Sequence, residues 1–221
     1  MQLNKTRFIF LPLLLLLFTF SVFAQTKQAD IESKINALIA KMTLAEKLGQ
    51  LQILDGEANG NYRPEHIELV RNGLLGSTLN VRGAARVNEL QREAMKSRLK
   101  IPHLFAFDVI HGYRTIFPVP LGEAATFDIR LAELSAYIAA KEARAAGVAW
   151  TFAPMVDIAR DPRWGRIVEG AGEDTFLGSE FARARVLGFQ GKDYSANDRV
   201  LACAKHWVGY GAASGGRDYN T

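Results

Sequence analysis

The sequence predicts a parallel α/β fold, and three observations carry that prediction. Short apolar runs alternate with helix-like segments four times along the chain, which is the signature of parallel β/α construction. Three runs lead into charge: Leu104-Phe105-Ala106-Phe107 into Asp108, Trp150-Thr151-Phe152-Ala153-Pro154 into a polar stretch from Asp157 to Glu169, and Leu201-Ala202-Cys203-Ala204 into Lys205-His206. In a parallel barrel the C-terminal strand ends and the loops after them form the active face. No Gly-x-Gly-x-x-Gly or Walker pattern follows any of the runs, which argues against a dinucleotide or ATP site.

The N-terminal stretch stands apart from this pattern. Lys5 and Arg7 precede an almost wholly apolar Phe8–Phe20, and Val22-Phe23-Ala24 supplies the small residues that a signal peptidase reads. Residues 1–24 are therefore expected to be a signal peptide cleaved near Ala24, leaving 25–221 as the folded part. The apolar run is short for a membrane span, so stable membrane insertion is not expected.

Asp30 is placed to cap a helix with Ile31, Ile35, Leu38 and Met42 at helical spacing, and Thr43-Leu44-Ala45-Glu46 reads as a capping box. Leu44, Leu48 and Leu51 then share a face. Pro64 fits a first helical position, with Ile67 and Val70 inward and Gly73 as the stop. Leu74–Leu79 is the candidate first strand. A helix over 84–98 buries Val87, Leu90 and Ala94, and Leu104–Phe107 is the second strand. The stretch around Phe117–Gly122 is too rich in proline and glycine for an element. A helix over 129–146 turns Leu131, Leu134 and Ile138 inward, Val148–Phe152 is the third strand, Thr175–Leu187 a helix, and Leu201–Ala204 the fourth strand.

The formal charge of +4 drops to +2 once Lys5 and Arg7 are removed with the leader. That excess is too small and too scattered for a nucleic-acid partner. A single cysteine, Cys203, excludes an internal disulfide and reads as a small buried hydrophobe. His103, His111 and His206 have no partner at zinc-ligand spacing, and no aspartate-rich calcium loop is present, so no metal site is expected.

The candidate site residues follow from position and chemistry. Asp108 can accept from two adjacent hydroxyls, or brace its own loop. Arg166 offers a fixed fork of donors, or pairs with Asp161 or Glu169; the two roles are compatible, with Glu169 orienting it. Lys205 and His206 end one strand, where alternation would send them to opposite sides unless the strand stops or bends. Trp164 and Trp207 can offer a sugar an apolar face or pack under the loops, and packing is favoured for Trp207. Asp108, Asp157, Asp161, Glu169, Glu173 and Asp174 are rim carboxylates, whose separations, which distinguish glycosidase mechanisms, sequence does not supply.

Several longer motifs add a resemblance. Lys41-Met42-Thr43-Leu44-Ala45-Glu46-Lys47-Leu48-Gly49-Gln50-Leu51, Phe105-Ala106-Phe107-Asp108-Val109-Ile110-His111-Gly112 and Phe152-Ala153-Pro154-Met155-Val156-Asp157 resemble the periplasmic β-glucosidase branch of family 3 glycoside hydrolases. So do Asp161-Pro162-Arg163-Trp164-Gly165-Arg166, Lys205-His206-Trp207 and Gly215-Gly216-Arg217-Asp218-Tyr219-Asn220-Thr221. The resemblance implies a (β/α)8 TIM-type barrel, of which this chain holds about the first half. It implies retaining hydrolysis of terminal non-reducing β-D-glucosyl residues, with β-xylosidase action or non-catalytic sugar binding as the alternatives. It implies that Asp108, Arg166, Lys205 and His206 bind the terminal glucosyl residue, that Glu169 supports Arg166, and that Arg217 adds a contact.

The family's nucleophile is an aspartate in a Ser-Asp-Trp-like motif after a later strand, and its acid/base glutamate lies in a second domain. Neither is present in these residues. The chain is therefore expected to be the incomplete N-terminal part of an exported glycosidase, inactive alone. No catalytic residue is assigned within it. A small carbohydrate is the expected partner, without a cofactor, in the periplasm or outside the cell.

Overall fold

The computed structural model describes residues 29–193 and 195–218. The expected leader lies outside them, as do Tyr219, Asn220 and Thr221 of the last motif. By contacts the chain divides between Lys47 and Leu48 into two units.

In the first unit residues 29–41 are helical (α1), with Ile31, Ile35 and Ile39 exposed. The capping box forms as the sequence predicts. The Thr43 amide donates to Glu46 Oε2 at 2.8 Å, and the Glu46 amide donates to Thr43 Oγ1 at 3.2 Å. These bonds satisfy donors that a helix start otherwise leaves orphaned, and they open α2 (Leu44–Gln50). The expected apolar face of Leu44, Leu48 and Leu51 is not buried: all three are exposed, Leu51 to 83%.

The second unit is built on a four-stranded parallel sheet in the order β1 (Ile53–Asp55), β2 (Ser77–Leu79), β3 (Leu104–Phe107) and β4 (Trp150–Thr151). Registers of Ile53 to Ser77, Ser77 to Leu104 and Ala106 to Trp150 align the strand tops. The candidate first strand is thus the second, shortened to Ser77–Leu79. The true first strand is Ile53–Asp55, too short to show a period. Gly76 explains the close seating of β2 beside Gln50: a Cβ there would lie 2.6 Å from the Gln50 carbonyl oxygen. The fourth predicted strand is reduced to two parallel bridges, Leu201 to Trp150 and Lys205 to Met155. Those bridges still extend the sheet past β4, and Cys203 is only half-buried there.

Helices α3 (Pro64–Arg71) and α4 (Ala84–Ala94) cover one part of the sheet. Val70, Leu75, Val81, Val87, Leu90 and Phe105 form the core between them, each burial worth roughly 1.5–3 kcal/mol. Here α4 stops at Ala94 rather than Arg98, and the chain turns through Ser97 to Lys100 at φ +53°. Beside this core His103 is buried, its ring between the Leu75 carbonyl and Thr78 Oγ1, each at 3.2 Å.

The proline-rich stretch does hold an element. Pro120–Ala124 forms the short helix α5, because Pro120 sits at a first-turn position where its missing N–H costs nothing. Helix α6 (Ile129–Ala145), capped by Asp128, buries a different face from the one expected, with Ile138 alone of the three expected residues half-buried. Leu131 and Leu134 are 47% and 52% exposed, whereas Ala132, Ala136, Ala139, Ala140 and Ala143 are buried. The reason is its neighbour α7 (Thr175–Gln190), capped by Asp174. A Cβ on Gly188 of α7 would lie 2.6 Å from the Ala136 Cβ, so the approach admits only small residues.

Candidate functional site

Four of the sequence-predicted side chains meet at the C-terminal ends of β3, β4 and the Leu201–Lys205 bridges. Asp108 leaves β3, and the Val109 amide just after it donates to Thr151 Oγ1 of β4 at 3.1 Å. Lys205 is held by two backbone bonds: its amide donates to the Pro154 carbonyl, and its carbonyl accepts from the Val156 amide. Its Nζ lies 3.3 Å from Asp108 Oδ1 and 3.8 Å from Glu169 Oε2. Strand pairing ends at Lys205, so strict alternation no longer separates its side chain from that of His206.

Arg166 and Glu169 lie on a 3₁₀ turn, Gly165–Glu169. Side chains three apart eclipse on such a turn, so the pair closes as a fork. Nε lies 2.5 Å from Oε1 and Nη2 lies 2.7 Å from Oε2. Glu169's carboxyl is held below its usual range, first by the Arg166 hydrogen bonds and then by Lys205 and His206. The guanidinium is pushed up in turn by Glu169. The other arginine of this loop behaves differently. Arg163 pairs with Asp161 through three bonds and brings its carboxyl to about 2. Asp161 is thus not the partner of Arg166.

His206 is oriented from below. Its backbone amide and its Nδ1 both address Asp157 Oδ2, at 2.9 and 2.8 Å. A carboxylate only accepts, so Nδ1 carries a proton. Nε2 then faces Arg166 Nη1 at 3.5 Å. Asp157 is buried beneath the ring, and both Glu169 oxygens are engaged by Arg166. These two rim carboxylates orient Arg166 and His206 rather than stand ready as nucleophiles.

Of the two candidate tryptophans, the alternative left open for Trp164 is settled and the expectation for Trp207 is overturned. Trp164 is 1% exposed, with Nε1 donating to Asp218 Oδ1 at 2.6 Å, so it packs under the loop rather than facing a ligand. Trp207, expected to pack, is 96% exposed. Tyr210 is the residue the sequence reading missed. Its ring stands edge-on to His206 (4.9 Å) and to Trp164 (5.3 Å), and the Arg166 guanidinium lies 5.3 Å from its centroid. The signal is faint, a lone aromatic inside a glycine-rich tail. Arg217 is exposed, and among the described residues its side chain makes no hydrogen bond or ion pair to the cluster. Likewise, among the described residues no three His, Cys, Asp or Glu side chains converge as a metal would need.

The arrangement presents an acceptor (Asp108), a cation (Lys205), a guanidinium and an imidazole in one cluster. Groups of both polarities at close spacing suit a neutral ligand dense in hydroxyls, each of which donates and accepts. Fold and rim together define a parallel α/β protein with a cluster of polar side chains at its strand tops. Comparison with known proteins specifies which: residues 43–221 match the profile of the glycosyl hydrolase family 3 N terminal domain. The chain belongs to that family.

The periplasmic beta-glucosidase of Salmonella typhimurium is 40% identical over 188 residues, covering 85% of this chain and 24% of that protein. A putative beta-xylosidase of Formosa agariphila is 33% identical, covering 86% and 28%. Among solved structures, the beta-glucosidase of Listeria innocua in complex with glucose superposes with a TM-score of 0.76 at 38% identity, covering 85% and 28%. The exo-1,3/1,4-beta-glucanase of a Pseudoalteromonas species gives 0.73 at 32% identity, covering 86% and 26%. The chain therefore spans about a quarter of the length of these relatives. Its parallel sheet and helices correspond to part of a (β/α)8 TIM-type barrel.

Proposed function

We propose that this chain supplies the glucosyl-binding part of a retaining β-glucosidase acting on terminal non-reducing β-D-glucosyl residues. The observation that carries the reading is the meeting of Asp108, Lys205, Arg166 and His206 from three separate chain segments, linked through Glu169. In this reading Asp108 accepts from sugar hydroxyls, Lys205, Arg166 and His206 complete the grip, and Glu169 keeps Arg166 aimed. Such bonds strengthen as the sugar approaches its oxocarbenium-like transition state, so they contribute to rate as well as to affinity. The nucleophile and the acid/base are not assigned to residues of this chain. Arg217 is a further candidate contact, to be reached by a side-chain movement.

The glucose complex of the Listeria innocua enzyme supports the choice of sugar. A beta-xylosidase among the relatives favours a second reading, xylosyl release at the same site. Rates on p-nitrophenyl glucoside and xyloside separate the two. Export to the periplasm, after cleavage near Ala24, is supported by the Salmonella relative's description and by the leader pattern. A small carbohydrate is the proposed partner, with no nucleic acid.

The test is Asp108→Ala in the full-length gene product. Loss of its hydroxyl contacts should lower kcat/KM by about 3 kcal/mol, roughly a hundredfold. An unchanged rate removes Asp108 from the site and with it this reading. The 221-residue chain by itself should not turn over an aryl β-glucoside; robust hydrolysis by it would contradict the assignment of no catalytic group here, and glucose binding by it in calorimetry without turnover would favour the non-catalytic sugar-binding alternative.

A further inference from the structure

A buried arginine on α7 holds the backbone that carries Asp108. Arg185 is 2% exposed, with Glu123 of α5 likewise enclosed beside it. Its Nη1 donates to Glu123 Oε2 at 2.7 Å, and its Nη2 donates to the Ile110 carbonyl. The rings of Phe181 and Phe189 flank the guanidinium at 5.7 and 5.3 Å. Filling this space needs no charge, because apolar side chains of similar volume often replace a buried ion pair without loss. The bond to Ile110 is what an apolar replacement cannot supply.

Ile110 lies two residues beyond Asp108. Between them the Val109 amide is tied to Thr151 of β4. The loop leaving β3 is thus held from β4 and from α7 at the two positions right after the carboxylate. Asp108 itself has a looser hold, half-exposed and 3.3 Å from Lys205. Its direction is set by the backbone beneath it.

We infer that Arg185 is a positioning residue for sugar binding, aiming the Asp108 carboxylate through the Ile110 carbonyl. The inference rests on the glucosyl-binding role proposed for Asp108. Arg185→Lys tests it, since an ammonium can keep the pair with Glu123 but lacks the planar fork that reaches both acceptors.

The measurement is a double-mutant cycle on aryl β-glucoside hydrolysis by the full-length gene product, using Arg185→Lys, Asp108→Ala and the two combined. Arg185→Lys should lower kcat/KM about tenfold in the parent and less than about twofold once Asp108 is gone, because the two act as one unit. A merely structural arginine would multiply its effect with that of Asp108→Ala, and that result overturns the inference. An unchanged rate for Arg185→Lys overturns it as well. An Asp108→Ala enzyme of full activity sinks the sugar-binding reading itself, a separate outcome. Should Arg185→Lys not fold, Arg185→Met with Glu123→Leu removes the charges together and enters the same cycle. If neither variant folds, the arginine is a folding requirement and the positioning role is rejected.

Discussion

Replacing Glu169 with glutamine keeps the size of the side chain and removes its charge from between two cations. In the parent, both carboxylate oxygens accept from Arg166, at 2.5 and 2.7 Å, with Lys205 a further 3.8 Å away. An amide turns one acceptor into a donor, so an N–H of the guanidinium then meets an N–H. At about 4 Å and an effective dielectric of about 20, the gross charge attraction is about 4 kcal/mol. The Arg166 and Glu169 side chains are 29% and 18% exposed, so water recovers part of this. A net loss of about 2 kcal/mol remains, in the range of hydrogen bonds to charged groups. If Arg166 needs that aim to meet substrate, kcat/KM falls about 30-fold. The carboxyl of Glu169 is depressed below its ordinary value of 4.5 by Arg166. Its stabilisation is therefore present above that value and is lost as pH falls through the folded one. Melting of parent and Glu169→Gln side by side should show a full gap at neutral pH that closes in acid. A gap constant through the acid range, or a kcat/KM within about twofold of the parent, refutes the reasoning.

Three further outcomes are expected. Asp157→Ala takes away the one oxygen that accepts from both the His206 amide and its Nδ1, and should lower kcat/KM about tenfold while unfolding in denaturant shifts by about 1–3 kcal/mol. Gly188→Ala drives a methyl into Ala136 and the Glu133 carbonyl, and should destabilise by roughly 1–3 kcal/mol in the same assay. Burial holds His103 neutral down to about 4 against an ordinary 6.5. The unfolded chain takes up its proton first, so stability should fall as pH drops from 6.5 towards 4, and His103→Gln should flatten that slope when melting is followed against pH.

The site was more legible in the sequence than the elements that present it. Asp108 and Lys205-His206 stand out because charge directly follows an apolar run, and that juxtaposition survives in the structure. Ile53–Asp55 leaves no such mark, being an edge strand of three residues with a single half-buried position. On α6 the reading favoured leucine over alanine by hydrophobicity, whereas proximity to Gly188 decides the buried face and excludes the larger side chain. Asp157 was visible as a rim carboxylate, but its partner lies 49 residues on, and only folding brings the two together. Tyr210 belongs to the same class, since a stretch of glycines gives no period from which to read a direction.

The three tryptophans sit at three depths: Trp164 sealed under its loop, Trp150 half-covered on β4, and Trp207 almost wholly in water one peptide bond after His206. An indole in water emits at longer wavelength and meets soluble quenchers freely, while an enclosed one does neither. The protein thus carries its own optical marker at the edge of the cluster. Iodide or acrylamide will extinguish the Trp207 signal first, and the proposed glucosyl contact at His206 predicts that added glucose shields that one emitter.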